Sequence, residues 1–284
     1  MSHFAMGVIV EKSKIEDATN INDVIAEQIA AYDENINVEE YDQQCYCIGR
    51  QVIDLATKVV VEETGKTVED FREETKDIKD RDEADKRWHE LTGDYFRRID
   101  ELESQLMKNV IPKLDCEECN GTGFYKSTYN PLSKWDWWQI GGRWTGLLDG
   151  YKPSEDPDNI EDCYLCNATG LRNDNVGRNI REENPEYTCN GCQGTGKMLK
   201  WPSSWKRYEG DIASISVALE DLEKYGGFFG YVTPEKEWIE KGKMGWWAIT
   251  TNEKDKDTWA EESKNILNKY NTDDYLIVVV DCHI

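Results

Sequence analysis

Three cysteine knuckles constrain this chain more than any other feature: Cys116-Glu-Glu-Cys119-Asn-Gly-Thr-Gly123, Cys163-Tyr-Leu-Cys166-Asn-Ala-Thr-Gly170 and Cys189-Asn-Gly-Cys192-Gln-Gly-Thr-Gly196. A CxxC turn offers two thiolates to one metal ion, and the following glycines let the backbone fold beneath the sulfurs. Four such thiolates close a tetrahedral site, which is structural rather than catalytic, and Zn(2+) is the expected ion. Knuckles one and three match best in pattern, so Cys116, Cys119, Cys189 and Cys192 are the first choice of ligand set. Cys163 and Cys166 then either join Cys45 and Cys47 in a second site or replace one of those pairs. Redox chemistry is the weaker reading, because a redox CxxC stands alone at a strand-to-helix junction.

Nine cysteines, six of them in CxxC pairs, accompany an N-terminus with no basic region or cleavage site. Thiolates and zinc are favoured over disulfides, and a cytoplasmic location is expected. No apolar run has the length of a membrane span. The 57 acidic against 34 basic residues give a net charge of −23, a field that repels phosphate backbones and anionic lipid. Direct nucleic-acid or membrane binding is therefore not expected, whereas a basic protein partner, or imitation of a nucleic acid's charge, is compatible. Eleven Trp and fourteen Tyr argue against wholesale disorder.

In chain order, Phe4 to Val10 reads as a buried strand, and Asn20 or Asn22 caps a helix reaching about Tyr32. Arg50 to Glu63 is helical, with Gly65 as its stop. Between Thr67 and Val110, Trp88, Leu91, Tyr95, Ile99, Leu102, Leu106 and Val110 recur at three- and four-residue steps, one stripe on a charged helical arm that ends at Pro112. Such a stripe needs a partner, either its own neighbours or another chain, and Trp88, Leu91, Tyr95 and Leu102 are the candidate interface of a homo-oligomer. Lys152 to Asp162 reads as a linker, and Met198 to Trp201 as a strand leaving the metal. Phe228 to Val232 and Gly245 to Thr250 read as strands, Ile212 to Tyr225 and Trp259 to Tyr270 as helices. Tyr275 to Ile284, apolar on both faces, is a central strand.

The expected fold is α+β: a small mixed sheet from the N- and C-terminal segments, with a helical arm and a cysteine-knuckle lobe inserted. The expected division is 1–49 and 206–284 for the core, 50–112 for the arm and 113–205 for the zinc lobe with its Trp-rich segment.

The knuckles resemble the CxxCxGxG repeats of the DnaJ chaperone family. That family has four repeats and a J-domain with His-Pro-Asp; this sequence has neither a fourth repeat nor that motif, so the resemblance implies metal binding and not chaperone activity. A second resemblance runs along nearly the full length, through Met1-Ser-His-Phe4, Tyr32-Asp-Glu-Asn35, Lys134-Trp-Asp-Trp-Trp-Gln-Ile-Gly-Gly-Arg-Trp144, Lys243-Met-Gly-Trp-Trp247 and Val280-Asp-Cys-His-Ile284. These segments are similar to those of a family of phage and prophage-borne proteins. The resemblance implies a viral accessory protein in a bacterial host cytoplasm, an anti-defence inhibitor that binds a host nuclease complex such as Gabija.

The Trp-rich segment allows a pocket of Trp135, Trp137, Trp138 and Trp144 with Arg143 as an anion-binding fork, completed by Asp281, His283, Trp246 and Trp247. Its plainer reading is an aromatic mini-core under the zinc lobe, in which Asp136 pairs with Arg143. His283 and Cys282 point to opposite faces of a strand and so do not form a nucleophile–base pair. No P-loop, GxSxG, HExxH or dinucleotide fingerprint is present. The leading functional expectation is a zinc-stapled protein-binding scaffold. The alternatives are an acidic DNA-mimicking inhibitor and an enzyme using Arg143, Asp281 and His283 on a small anion or nucleotide.

Overall fold

Two apolar runs from opposite ends of the chain form the centre of the main sheet. In the computed structural model, which describes residues 2–107, 115–225, 227–245 and 249–284, β1 (His3–Glu11) and β12 (Tyr275–His283) pair antiparallel over nine residues, from His3 opposite His283 to Glu11 opposite Tyr275. Both are buried on both faces, as expected of near-continuous apolar runs, Phe4 to Val10 and Leu276 to Val280. The described residues form two compact units, one made of the segments up to Asn37 and from Asn130, the other of Val38–Tyr129.

In the first unit, β4 (Trp137–Ile140) and β7 (Ile212–Ser214) lie along the same side of β12, at its two ends. On the other side, β8 (Gly230–Val232) runs parallel to β1 and pairs with β9 (Trp238–Glu240) antiparallel. The sheet is therefore mixed, with order β4-β12-β1-β8-β9. Alternation along β1 and β12 sends side chains into two cores. Ala5, Ile9, Ile277 and Val279 meet α7 (Ile215–Tyr225) and α8 (Lys256–Lys269) through Ile215, Leu222, Trp259 and Leu267. Phe4, Met6, Val8, Val278 and Val280 meet α2 (Ile21–Ile29) through Ile21, Ile25 and Ile29. Asn20 caps α2 by accepting from the Asn22 amide. Gly7 leaves room for its neighbours: a Cβ there would stand 2.9 Å from the Ile277 side chain and 3.0 Å from the Tyr231 ring, so any larger residue would have to displace them. Short α1 (Lys12–Glu16) follows β1, and β10 (Lys243–Met244) pairs with β11 (Thr250–Thr251).

The stretch from Lys152 to Asp162 is not merely a linker. Its last three residues form β5 (Ile160–Asp162), which pairs with β6 (Lys197–Leu199) on leaving the third knuckle, and Asn159 before it is buried. Between them lies α6 (Asn175–Glu183), capped by Asp174.

The second unit carries β2 (Tyr41–Gln44), α3 (Tyr46–Thr64), α4 (Val68–Thr75), α5 (Arg81–Leu106) and β3 (Phe124–Ser127), with β2 and β3 paired antiparallel. Gly65, at φ 67°, ends α3, and Thr67 with Asp70 forms a capping box on α4. The apolar stripe falls on α5 and is covered from within. Tyr95, Ile99 and Leu102 are buried against Ala56 and Val60 of α3 and Phe71 of α4, with Trp88, Leu91 and Leu106 packed around them. The stripe that raised the expectation of another chain already has its partner. Val110 and Pro112 lie outside the described residues.

Candidate metal centres

The knuckles share one backbone solution. After the second cysteine of each, positions one, two and four adopt left-handed φ: Asn120, Gly121 and Gly123; Asn167, Ala168 and Gly170; Gln193, Gly194 and Gly196. The intervening threonine closes the turn. Thr122, Thr169 and Thr195 donate to the carbonyls of Cys119, Cys166 and Cys192 at 2.6, 2.6 and 2.7 Å, and each accepts from the amide two residues on.

The second and third knuckles form a reciprocal pair. The Cys163 amide donates to Gly196 O at 2.9 Å and the Cys189 amide to Gly170 O at 2.8 Å. A Cβ on Gly170 or Gly196 would fall 2.4 Å from the opposing carbonyl, of Gly194 or Ala168, so only glycine permits this approach. Cys163, Cys166, Cys189 and Cys192 come together, all buried. The first knuckle joins instead with Cys45 and Cys47, and the Cys45 amide donates to Gly123 O at 2.8 Å, the bond that Cys163 makes to Gly196. The ligand set expected first, Cys116 and Cys119 with Cys189 and Cys192, is not the one formed. Similarity of pattern was a poor guide, because a knuckle's tail needs a cysteine amide opposite it, and a CxC at a helix start supplies one as well as another knuckle does.

The sulfurs fit a metal. Sγ–Sγ separations are 3.7 Å for Cys45–Cys116, 3.6 Å for Cys47–Cys119, 3.8 Å for Cys163–Cys189 and 3.7 Å for Cys166–Cys192. A tetrahedral ion with metal–sulfur bonds of ~2.3 Å sets its sulfurs about 3.8 Å apart, whereas a disulfide would need about 2.05 Å. In each cluster all four ligand atoms lie within 4.8 Å of one another.

Ionisation within the clusters is uneven. Burial pushes Cys119 and Cys192 up, but the amides of Gly123 and Gly196 and the adjoining thiols outweigh it, lowering both to about 7. At Cys45 the Cys47 amide lowers the pKa, yet burial and the surrounding thiols carry it to about 12. Burial raises Cys163 to about 11. Four thiols so close cannot all ionise without a cation among them, which is the electrostatic case for a bound metal. The clusters differ in span: sequence separations across them are 71 residues for Cys45–Cys116 and 26 for Cys163–Cys189. Loop length alone separates the two closures by only about 0.9 kcal/mol.

The Trp-rich segment does not make one pocket. Trp135 is buried in the α2-side core, its Nε1 donating to Ile29 O at 3.2 Å, and Trp138 packs on the same core. Trp144 packs on the α7/α8 side. Trp137 is half exposed and edge-on to His3, with ring centroids 6.1 Å apart. Nor do the tryptophans form a mini-core under the knuckles: they belong to the two sides of the sheet. Arg143 is exposed, and it is its backbone amide that donates to Asp281 Oδ2, at 2.9 Å. Gly142, at φ 55°, permits this turn, since a Cβ would lie 2.5 Å from that oxygen. Buried Asp281 also accepts from His3 Nδ1 at 2.9 Å. Asp136 pairs not with Arg143 but with His283 Nδ1, at 2.5 Å. Cys282 lies in the α2-side core. Trp246 and Trp247 lie outside the described residues.

No family matches. Neither a family model, nor a curated protein, nor a solved structure matches the chain. Its functional reading therefore rests on its own geometry and motifs. Among the described residues, no helix is long and apolar enough to cross a membrane.

Proposed function

We propose that the chain is a zinc-stapled protein-binding scaffold that captures and inhibits a host protein complex and assembles with itself. The observation that carries it is the closure of both clusters: four thiols each, with every tetrahedral position supplied by the chain and none left for a substrate. Tetrahedral all-sulfur sites suit zinc or iron, and a single redox-silent ion fits a staple best.

With the α5 stripe packed internally, the proposed surface for binding and self-assembly is sought among exposed apolar side chains elsewhere. Trp201 is 64% exposed and Tyr164 59% exposed, on the lobe built around the second and third knuckles, and Val176 and Ile180 lie exposed one turn apart on α6. Large exposed aromatics of this kind serve as interface anchors. The resemblance of the sequence motifs, rather than the geometry, directs the search for a partner to bacterial defence complexes, with the phage-borne inhibitor as the biological setting.

The test is affinity capture from a bacterial lysate, with native mass, for the wild type and for Tyr164→Glu with Trp201→Glu. The expected result is a stoichiometric partner and a higher assembly in the wild type, both lost in the variant, with metal content and fold retained. A variant that keeps partner and assembly refutes this surface. Capture that ignores Trp201 and collapses with added salt would instead support the nucleic-acid-mimicking alternative.

A further inference from the structure

The two clusters differ in access. Cys163, Cys166, Cys189 and Cys192 are all buried, with Leu165 and Met198 packed over them. In the other cluster Cys45 and Cys119 are buried, but Cys47 and Cys116 are half-buried. Those two line a cleft of about 820 Å³ together with Tyr46, Arg50, Glu117 and Glu118. The Glu118 carboxylate lies 3.8 Å from Cys45 Sγ, an oxygen donor beside the sulfurs.

We infer that the cluster of Cys45, Cys47, Cys116 and Cys119 is an exchangeable metal site, open through this cleft to soft-donor small molecules such as thiols and chelators, whereas the second cluster is inert. The inference rests on the reading of both clusters as zinc sites and deepens it. Exchange at a thiolate site proceeds by approach of an incoming donor to the metal while one sulfur leaves. The cleft admits that donor along Cys47 and Cys116 without unfolding. At the buried cluster the same approach requires a local opening that parts the two knuckles, which slows it by the cost of that opening. Because the exchangeable ion ties the start of α3 to a knuckle 71 residues on, its removal loosens the helical unit and leaves the other lobe closed.

The experiment begins with the metal content of the purified protein, then follows release to a chromogenic chelator in excess. Two ions per chain are expected, leaving in two phases of one ion each, the first at least about tenfold faster. N-ethylmaleimide added after the fast phase, with peptide mapping by mass spectrometry, should label Cys45, Cys47, Cys116 and Cys119 ahead of the other four. This mapping uses the unmodified chain and does not depend on a variant folding. Two ions released in one phase, or early labelling at Cys163 or Cys192, overturns the inference and leaves the zinc reading standing. Fewer than two ions even after reconstitution with excess Zn(2+) overturns the zinc reading and the inference with it.

Discussion

Leu102→Ala and Tyr95→Phe, two changes on the same face of α5, should part company: the first destabilises and the second does not. Leu102 is 9% exposed and packs among Ala56, Val60 and Phe71. Its truncation removes buried methyl groups and leaves a cavity, and such changes cost 2–5 kcal/mol; at the rim of a small core, with room for relaxation, about 2–3 kcal/mol is expected. Tyr95 is 4% exposed, its ring set edge-on to Phe71 at 5.2 Å, and its hydroxyl is buried with no hydrogen-bond partner. Phenylalanine keeps the ring contact and removes the orphaned hydroxyl, whose burial costs ~1–3 kcal/mol. Tyr95→Phe should therefore be neutral or more stable by about 1 kcal/mol. The assay is urea unfolding followed by helical circular dichroism, with native mass recorded alongside. If the stripe were an interface between chains, both variants would leave monomer stability alone and Leu102→Ala would weaken assembly. Unchanged unfolding of Leu102→Ala with loss of oligomer would refute the internal packing described above.

Two further perturbations probe the local physics. Asp211 is 1% exposed and its Oδ1 accepts from the Gly146 amide; burial raises its pKa from 3.8 to about 6, with that amide and the Thr145 hydroxyl opposing. Because the folded value is the higher, its stabilising contribution is complete below pH 3.8 and is lost as pH rises through about 6. Asp211→Asn should thus stabilise the first unit at pH 7 by roughly 2–3 kcal/mol and have little effect near pH 4, measured as the difference in melting temperature at the two pH values. Ala168 occupies, at φ 61°, the left-handed position held by Gly121 and Gly194 in the other knuckles; Ala168→Gly should gain up to about 1 kcal/mol in thermal unfolding, and a loss would mean that its methyl group contributes packing that outweighs the strain.

Much of the fold was legible because its signals are local or depend on hydrophobic period. The apolar run at Tyr275 to Ile284 declared a central strand, the three- and four-residue spacing from Trp88 to Leu106 declared the α5 helix, and Gly65 declared the end of α3. Whether α5 faced its own chain was not legible, since the same stripe serves either purpose; the covering residues, Ala56, Val60 and Phe71, lie on helices whose placement is tertiary. The site was half legible. Cysteine spacing named six ligands, but pairing depends on which amide meets each glycine tail, a long-range fact. Cys45 and Cys47 were visible as a CxC, but the helix was expected only from Arg50, so their place at its start, where the Cys45 amide meets the Gly123 carbonyl, emerged only in the structure. Likewise His3 and Asp136 acquire partners only once β1, β12 and β4 are in register, which no single segment reveals.

The central claim is that two separate four-cysteine zinc sites staple the chain, one of them through Cys45 and Cys47. Metal content per chain, measured by elemental analysis and native mass spectrometry on the wild type and on Cys45→Ser with Cys47→Ser, tests it most directly. Two zinc ions in the wild type and one in the double variant, with the remaining ion protecting Cys163, Cys166, Cys189 and Cys192 from alkylation, is the predicted result. Two ions retained in the double variant would contradict it, because the three knuckles would then hold their metal without the CxC pair.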